Sequence, residues 1–328
     1  MERTMIIDAH AHVVPKDYPS ASGFPSMSPV SGETARDLAF GSFGMRLRDA
    51  YFEAERRIEA MDDASVDAEV VSPMPPLLNY TIDSGTARSL HRYVNETLAE
   101  LAEAGAGRIH ALGMVPLQDP AAAAEELTRI RDLGLRGVEM GSHVNGVAIG
   151  DARFLEVFQE AERLGLVIFI HTLPRADEAG VPAHVRASIG VGIEASRGAA
   201  SIAFGDLPAH CSLTNVMFSH AAGGFPAMVA RADYFWELTP TDSRSAERPS
   251  EIARRFSYDS MVFDPRGLRF LIDFIGADRV MLGTDFPAMD RPDQLADLLE
   301  PLDLAPAEYA RVAADNCLAW LDLSTDRV

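Results

Sequence analysis

Two histidines, His10 and His12, lie one residue apart at the end of an apolar run that begins at Met5. In an extended strand alternate side chains share a face, so both imidazoles point the same way, about 7 Å apart along the strand. Neutral imidazole is a frequent metal ligand, so this spacing suits two ligands of one ion. An isolated His-x-His pair also occurs at strand ends without any chemical role, so its meaning depends on the rest of the chain.

Three further apolar runs end in residues of the same chemical kind, at His171, His220 and Asp285. Runs without polar alternation are typical of parallel strands buried on both faces. A lone histidine after such a run is usually a hydrogen-bonded core residue. Four strand ends that all carry histidine or aspartate instead favour one shared site of metal-binding or acid/base character.

Strand-like runs alternate with amphipathic helical patterns along the chain. Strands are predicted near 5–9, 68–72, 109–114, 135–140, 166–170, 215–219, 256–259 and 280–284. Helical patterns between them include 53–64, 86–104, 120–133, 152–164, 225–236, 267–275 and 291–299. Eight strand–helix units predict a (β/α)8 TIM barrel, whose closure would place Asp285 beside His10 and His12. A doubly wound open sheet is the alternative, but it would not need the first and last strands to meet.

Length and composition predict a single large barrel domain over residues 1–328, since 47% of the residues are hydrophobic and can fill a closed core. Two extended loops, 15–52 after the first strand and 172–212 after the fifth, exceed what a minimal barrel needs. Both leave from the carboxyl-terminal face, where barrel active sites are built, so we expect active-site or interface insertions. Within the second loop, the largely uncharged stretch 190–205 predicts a buried or interface helix.

The formal net charge is −20, and lysine is nearly absent. Such a charge repels phosphate and argues against partners such as nucleic acid or an anionic membrane surface. No apolar run approaches the roughly 20 residues that span a bilayer, and the first residues do not form the apolar segment of a secretory signal. Cys211 and Cys317 fit neither a disulfide framework nor a metal motif. We therefore expect a cytoplasmic protein with buried thiols.

In its motifs the chain resembles the amidohydrolase superfamily, and within it the amidohydrolase-2 branch typified by aminocarboxymuconate semialdehyde decarboxylases. The segments that carry the resemblance follow family order almost end to end: 10–12, 57–62, 115–119, 141–145, 171, 219–224, 282–287 and 315–318. Two segments depart from the pattern. Thr172 and Leu173 stand where the decarboxylase has Pro-Trp, and Ala221 and Ala222 stand where glycines are usual. We therefore do not assign the semialdehyde as substrate.

The resemblance implies one divalent ion, usually zinc, held by His10, His12, His171 and Asp285. Such donors leave a position open for water, whose pKa the metal lowers toward neutrality. The resemblance also makes His220 the general base and later the acid, and it counts Asp285 among the catalytic residues. As an alternative, His220 would bind a second metal. Binuclear relatives usually add a carboxylated lysine, however, and no strand end carries lysine.

The resemblance further implies arginines that hold substrate carboxylates. By position Arg46, after the first strand, and Arg231, on the helix after the sixth, match these clamps, whose bidentate geometry lysine cannot copy. Arg231 would reach the site of a partner subunit, which predicts a homodimer. An ordinary surface arginine is an equally good interpretation of Arg46. His143, at the end of the fourth strand, either faces the site and the substrate or is a hydrogen-bonded loop histidine.

These inferences predict a metal-dependent, non-oxidative decarboxylase of a small unsaturated or aromatic carboxylic acid, using metal-bound hydroxide and a histidine acid/base. Two alternatives stay open. The same centre would serve a hydrolase, hydratase or ring-closing cyclase that acts on a related aromatic acid or lactone. A barrel that binds metal without catalysis would serve as a scaffold, although His220 beside four ligand types counts against it.

Overall fold

A computed structural model describes residues 4–174 and 182–323. In chain order its strands are β1 (Ile7–Val13), β2 (Ser26–Pro29), β3 (Arg36–Phe40), β4 (Phe43–Leu47), β5 (Ala68–Pro73), β6 (Ile109–Met114), β7 (Gly137–Gly141), β8 (His143–Val144), β9 (Val147–Ala148), β10 (Val167–His171), β11 (Val216–Phe218), β12 (Ser257–Asp259) and β13 (Val280–Met281). Its α-helices are α1 (Ala54–Asp63), α2 (Ser84–Ala104), α3 (Pro120–Asp132), α4 (Leu155–Leu164), α5 (Ala183–Val185), α6 (Val191–Ala203), α7 (Phe225–Leu238), α8 (Pro249–Ala253), α9 (Pro265–Ile275), α10 (Pro306–Ala310) and α11 (Asn316–Trp320).

Eight parallel strands form one sheet in the order β1-β5-β6-β7-β10-β11-β12-β13. The two ends of this sheet meet. The Ala9 amide donates to the Leu282 carbonyl at 2.7 Å, and the Asp285 amide donates to the His10 carbonyl at 2.8 Å. The sheet therefore curls into a nearly closed barrel with helices between its strands, as the alternating pattern predicts, and the first strand lies beside the last.

The amino-terminal mouth of the barrel is covered by the end of the chain. One apolar cluster joins Val70 and Phe169 of the barrel strands to Leu318 and Trp320 of α11. The Trp320 indole also donates to the carbonyl of Asn215, just before β11, at 2.9 Å. Because this end is filled, the strand ends that carry polar residues are accessible only from the carboxyl-terminal face.

The predicted helix at 291–299 is wrong. The structure has only a single turn of 3-10 helix there, Leu295–Leu298. Pro292 disfavours helical backbone at the residue before it. That residue, Arg291, instead turns its side chain inward, where it is 4% exposed and pairs with Asp8. Burial of a paired charge thus overrides a weak helical pattern.

The two long loops contain secondary structure of their own. The stretch 15–52 includes a three-stranded antiparallel sheet, β2-β3-β4, which the sequence pattern does not predict. In the stretch 172–212, the predicted helix is confirmed as α6, while residues 175–181 lie outside the described residues. Cys211 and Cys317 are free and buried, as expected. None of the described helices is long and apolar enough to cross a membrane.

The close approach of β7 to β10 requires glycine at position 137. A Cβ atom there would lie 2.0 Å from the Val167 carbonyl oxygen. We expect Gly137→Ala to lower the free energy of unfolding by about 1–3 kcal/mol, because backbone on the neighbouring strand has to shift. Gly44→Ala in β4 is the control, since its Cβ would meet its nearest atom, the Leu38 oxygen, at 3.7 Å. Equal thermal unfolding midpoints for the two variants would contradict this packing argument.

Candidate metal centre and active site

Four side chains from three parts of the barrel converge at its carboxyl-terminal end. His10 and His12 lie on β1, His171 is the last residue of β10, and Asp285 follows β13 with a left-handed φ of 62°. One ligand atom from each lies within 4.8 Å of every other. The structure therefore brings together all four residues that the resemblance implies as metal ligands.

Each of the three imidazole rings is held through its Nδ1 atom, which leaves its Nε2 atom to face the other ligands. His10 Nδ1 lies 2.7 Å from Asp259 Oδ2, while His12 and His171 each place Nδ1 against a backbone carbonyl oxygen, at 3.2 and 3.0 Å. These acceptors favour the tautomer with the proton on Nδ1, so the lone pairs lie on Nε2. The Nε2 atoms of His10 and His12 approach to 3.1 Å, and that of His171 is buried without a partner among the described residues. Lone pairs this close repel unless a proton or a metal ion lies between them, and four converging donors of this kind fit a divalent metal ion.

The carboxylate of Asp285 completes this set. Its Oδ1 lies 3.0 Å from His12 Nε2 and 3.7 Å from His10 Nε2. Burial opposes its ionisation, but interaction with the neighbouring imidazoles of His12 and His10 holds the pKa of Asp285 well below its ordinary value. Burial also lowers the pKa of His171 well below its usual range. An ionised carboxylate and neutral imidazoles are the protonation states in which these groups bind metal.

Asp259, the last residue of β12, contacts the site but is not singled out by the sequence analysis. Its buried carboxylate faces His10 Nδ1 and accepts the backbone amides of His220 at 2.8 Å, Ala221 at 2.7 Å and Met261 at 3.1 Å. It thus joins a metal ligand to the turn that carries His220. The available signal is that the predicted strand 256–259 ends in an acidic residue, as other strands here end in histidine or aspartate.

His220 lies beside the four ligands in strained backbone. Its φ is 51°, and Ala221 and Ala222 are also left-handed. The ring centroid lies 5.1 Å from that of His171 and 5.5 Å from that of His10. Burial lowers the pKa of His220, against the opposing effect of Asp259, so the imidazole is neutral near pH 7 and able to accept a proton. Left-handed non-glycine residues are costly and concentrate at functional sites, which agrees with a catalytic role.

A second buried carboxyl, Glu139 of β7, lies below the ligands and also escapes the sequence analysis. Its Oε2 is 3.7 Å from His12 Nδ1, and neither of its oxygens has a hydrogen-bond partner among the described residues. Burial raises the pKa of Glu139 to about 8. Its position inside an apolar run gives no sequence signal, because only closure of the barrel turns it toward the histidines.

The three predicted substrate-binding residues lie in different places. His143, on β8, lines a cavity at this end of the barrel, with Nε2 buried and unpartnered among the described residues. Arg46, on β4, has a side chain that is 56% exposed and pairs with Asp37 at 3.0 Å. Arg231, on α7, is exposed and stacks over Phe235 at 4.8 Å. Within one chain, neither arginine contacts the four ligands in the described structure, and their substrate roles stay predictions.

The cavity has a volume of about 660 Å³. Phe40 and Phe43 from the β3–β4 hairpin, Tyr80 after β5 and Leu173 after β10 line it together with His143. Leu173 occupies the position where the resemblance leads one to look for an indole. A mostly apolar wall with a few polar groups is typical of a small-molecule site.

The comparisons with known proteins cover nearly the whole chain. A family profile described as Amidohydrolase matches residues 7–323. A 2-amino-3-carboxymuconate-6-semialdehyde decarboxylase from Dictyostelium discoideum is 28% identical over 295 residues, which span 87% of this chain and 82% of that protein. A gamma-resorcylate decarboxylase from Rhizobium sp. (strain MTP-10005) is 25% identical over 345 residues, which span 96% of this chain and 97% of that protein. The crystal structure of a dihydroxybenzoic acid decarboxylase from Polaromonas sp. JS666, with bound manganese and the inhibitor 2-nitroresorcinol, superposes with a TM-score of 0.75 at 20% identity and covers 99% of both chains.

The metal centre can be tested by removing single ligands. We expect His10→Ala and Asp285→Ala to lose the bound divalent ion, because each removes one of four converging donors, and His220→Ala to retain one ion per chain. Elemental analysis after gel filtration measures this content. Full occupancy in either ligand variant would show that the ligand assignment is wrong.

Proposed function

The chain belongs to the amidohydrolase family, and from this premise we propose that it is a metal-dependent decarboxylase of a small aromatic or unsaturated carboxylic acid. The observation that carries the proposal is the convergence of three free imidazole nitrogens and the Asp285 carboxylate beside a fourth imidazole, His220. The decarboxylase names of the relatives from Dictyostelium discoideum and Rhizobium support the reaction type.

The ion would be held by His10, His12, His171 and Asp285. When bound, a divalent ion supplies Lewis acidity, which polarises a substrate oxygen or lowers the pKa of a water molecule. We propose zinc, because three imidazoles and one carboxylate are borderline donors that suit it. Manganese is the alternative, since the related decarboxylase from Polaromonas holds that ion.

Non-oxidative decarboxylation requires a proton at the carbon that loses the carboxylate. Without it, breaking the carbon–carbon bond leaves an electron pair on the ring. A neutral His220 first accepts a proton from a water molecule or a substrate hydroxyl group, and as an imidazolium it then donates that proton to the ring carbon. A carbon–hydrogen bond forms, the bond to the carboxylate breaks, and carbon dioxide leaves without any oxidant. Asp259 accepts a hydrogen bond from the backbone amide of His220 at 2.8 Å and so keeps this acid/base residue in place.

The cavity supports an aromatic substrate. Phe40, Phe43 and Tyr80 offer flat apolar surfaces, and His143 lines the same cavity, so a polar substituent such as a hydroxyl group would have a polar neighbour there. We therefore favour a hydroxylated aromatic acid. Arg46 would have to leave its exposed pair with Asp37 to hold a substrate carboxylate.

We expect the metal-loaded protein to release carbon dioxide from members of a panel of hydroxybenzoic and muconic acids. His220→Ala should keep its metal and lose turnover by about two to four orders of magnitude, the range expected for a general acid/base. His210→Ala, which removes an exposed histidine, is the matched control. Unchanged turnover in His220→Ala would reject its role, and ring opening or hydrolysis without carbon dioxide would reject decarboxylation.

We also propose a homodimer that contacts through α6 and α7. Large apolar side chains are exposed on these helices, among them Ile193 at 46%, Met228 at 52% and Leu238 at 63%. On α7 the spacing of 228, 231, 235 and 238 puts these residues on one helix face, so Arg231 lies within the apolar strip. Exposed apolar patches of this kind mark protein interfaces, and a second copy would bring Arg231 toward the neighbouring site.

Mixing two inactive variants tests this arrangement. In a hybrid of Arg231→Ala and His220→Ala chains, one site has both groups, so we expect part of the carbon dioxide release to return. A mixture of His10→Ala and His220→Ala should restore nothing, because both residues belong to the same chain's site. A fully active monomer, or hybrids that form without regaining activity, would show that Arg231 does not act across an interface.

A further inference from the structure

We propose that four buried charged residues outside the site, Asp8, Arg57, Glu69 and Arg291, are positioning residues that set the spacing of the metal ligands. We call them the seam network, because they lie where β1 meets the segment after β13. The inference rests on the proposed metal site and does not depend on the reaction. The network contacts backbone atoms of the ligand segments, the Thr284 side chain and, through Arg57 and Arg291, the ring of Phe286.

The network is a continuous set of ion pairs in the interior. Arg57 and Arg291 both bind the Glu69 carboxylate, and Arg291 also binds Asp8 through Nε at 2.9 Å. The side chains of Asp8, Arg57 and Glu69 are completely buried, and that of Arg291 is 4% exposed. Burying four charges is a poor way to gain stability, because desolvation offsets much of the attraction between them. Their position behind the metal ligands instead favours a geometric role.

Asp8 holds the two sides of the seam together. Its Oδ1 accepts the backbone amides of His10 and of Thr284, both at 3.1 Å. Its Oδ2 accepts the Thr284 hydroxyl at 2.5 Å. The Asp8 carboxylate thus hydrogen-bonds both to the backbone of His10, a metal ligand on the first strand, and to Thr284, the residue immediately before Asp285.

Arg57 connects the same network to a third ligand. Its Nη1 donates to the carbonyl oxygen of His12 at 2.9 Å, while its Nε binds Glu69. The amide of His10 and the carbonyl of His12 are therefore both hydrogen-bonded to the seam network. The ligand His171 lies on β10, away from the seam, where it pairs in regular register with Gly141 of β7.

The ligands at the seam need additional positioning groups because regular strand pairing is weak there. Among the described residues, β1 is joined to the segment after β13 by an isolated bridge between Ala11 and Phe286 rather than by a regular ladder. β13 is only two residues long, and Asp285 lies beyond it in left-handed backbone. Metal ligands have to be held to within a few tenths of an ångström, and groups behind the ligands commonly supply that precision.

The test compares two buried glutamates that each bind two arginines. Glu69→Gln breaks the seam network. Glu126→Gln is the matched control, since Glu126 is 4% exposed and binds Arg88 at 2.6 Å and Arg92 at 2.8 Å between α2 and α3. Zinc dissociation constants are measured on metal-free protein by competition with a chromophoric chelator, together with the unfolding midpoint of each metal-free protein.

We expect both substitutions to lower the unfolding midpoint, but only Glu69→Gln to weaken zinc binding, by about 10- to 100-fold. The visible absorption spectrum of the cobalt-loaded protein should change in Glu69→Gln alone, because the ligand geometry is altered. Arg291→Lys keeps the charge but replaces the planar fork by a single ammonium group, so we expect an intermediate loss of zinc affinity. This variant decides the question if Glu69→Gln does not fold.

Zinc affinities and cobalt spectra equal to those of Glu126→Gln in both seam variants would overturn the inference. A wild-type protein that binds no divalent ion would overturn it together with the proposed metal site. A wild-type protein that binds zinc but releases no carbon dioxide would reject only the proposed reaction.

Discussion

The structure depends on one electrostatic constraint, the close approach of imidazole lone pairs in a buried place. Two Nε2 atoms lie 3.1 Å apart, a third is buried nearby, and the Asp285 carboxylate faces them. Such an arrangement is repulsive unless a cation lies between the donors. The surrounding groups serve this constraint: acceptors behind each Nδ1 direct the lone pairs, and burial lowers the pKa of His12 and His171. At His10 the effect of burial is outweighed by the Asp259 and Asp285 carboxylates, which raise its pKa.

His220, the proposed acid/base group, is linked to this centre through Asp259. Asp259 accepts His10 Nδ1 on one side and the amides of His220 and Ala221 on the other. The turn that follows is left-handed over three residues and ends at Gly223, where a Cβ atom would lie 1.9 Å from the Gly192 carbonyl oxygen. Because α6 packs this closely against the turn, the imidazole of His220 has little freedom to move away from the ligands.

The charges around the barrel have different roles according to burial. Exposed pairs such as Arg46 with Asp37 contribute little to stability and can exchange partners. Arg291 is the opposite case, since its burial against Asp8 and Glu69 removes the helix that the local pattern predicts. Whether a charged side chain is a surface group or part of the interior is decided by contacts distant in sequence, which local periodicity does not contain.

Much of the architecture could be read from the chain itself. All eight barrel strands overlap the apolar runs that predict them, because strands buried on both faces require continuous apolar sequence. Of the four metal-ligand residues only His171 ends its strand, since β1 continues past His10 and His12 to Val13 and Asp285 lies beyond β13. The tertiary structure alone decided which polar residues act together. Glu139 and Asp259 lie within or at the end of ordinary strands, and only closure of the barrel turns them toward the histidines. Their partners lie up to 249 positions away in sequence, as in the pair of His10 with Asp259, and such contacts form only when distant strands become neighbours.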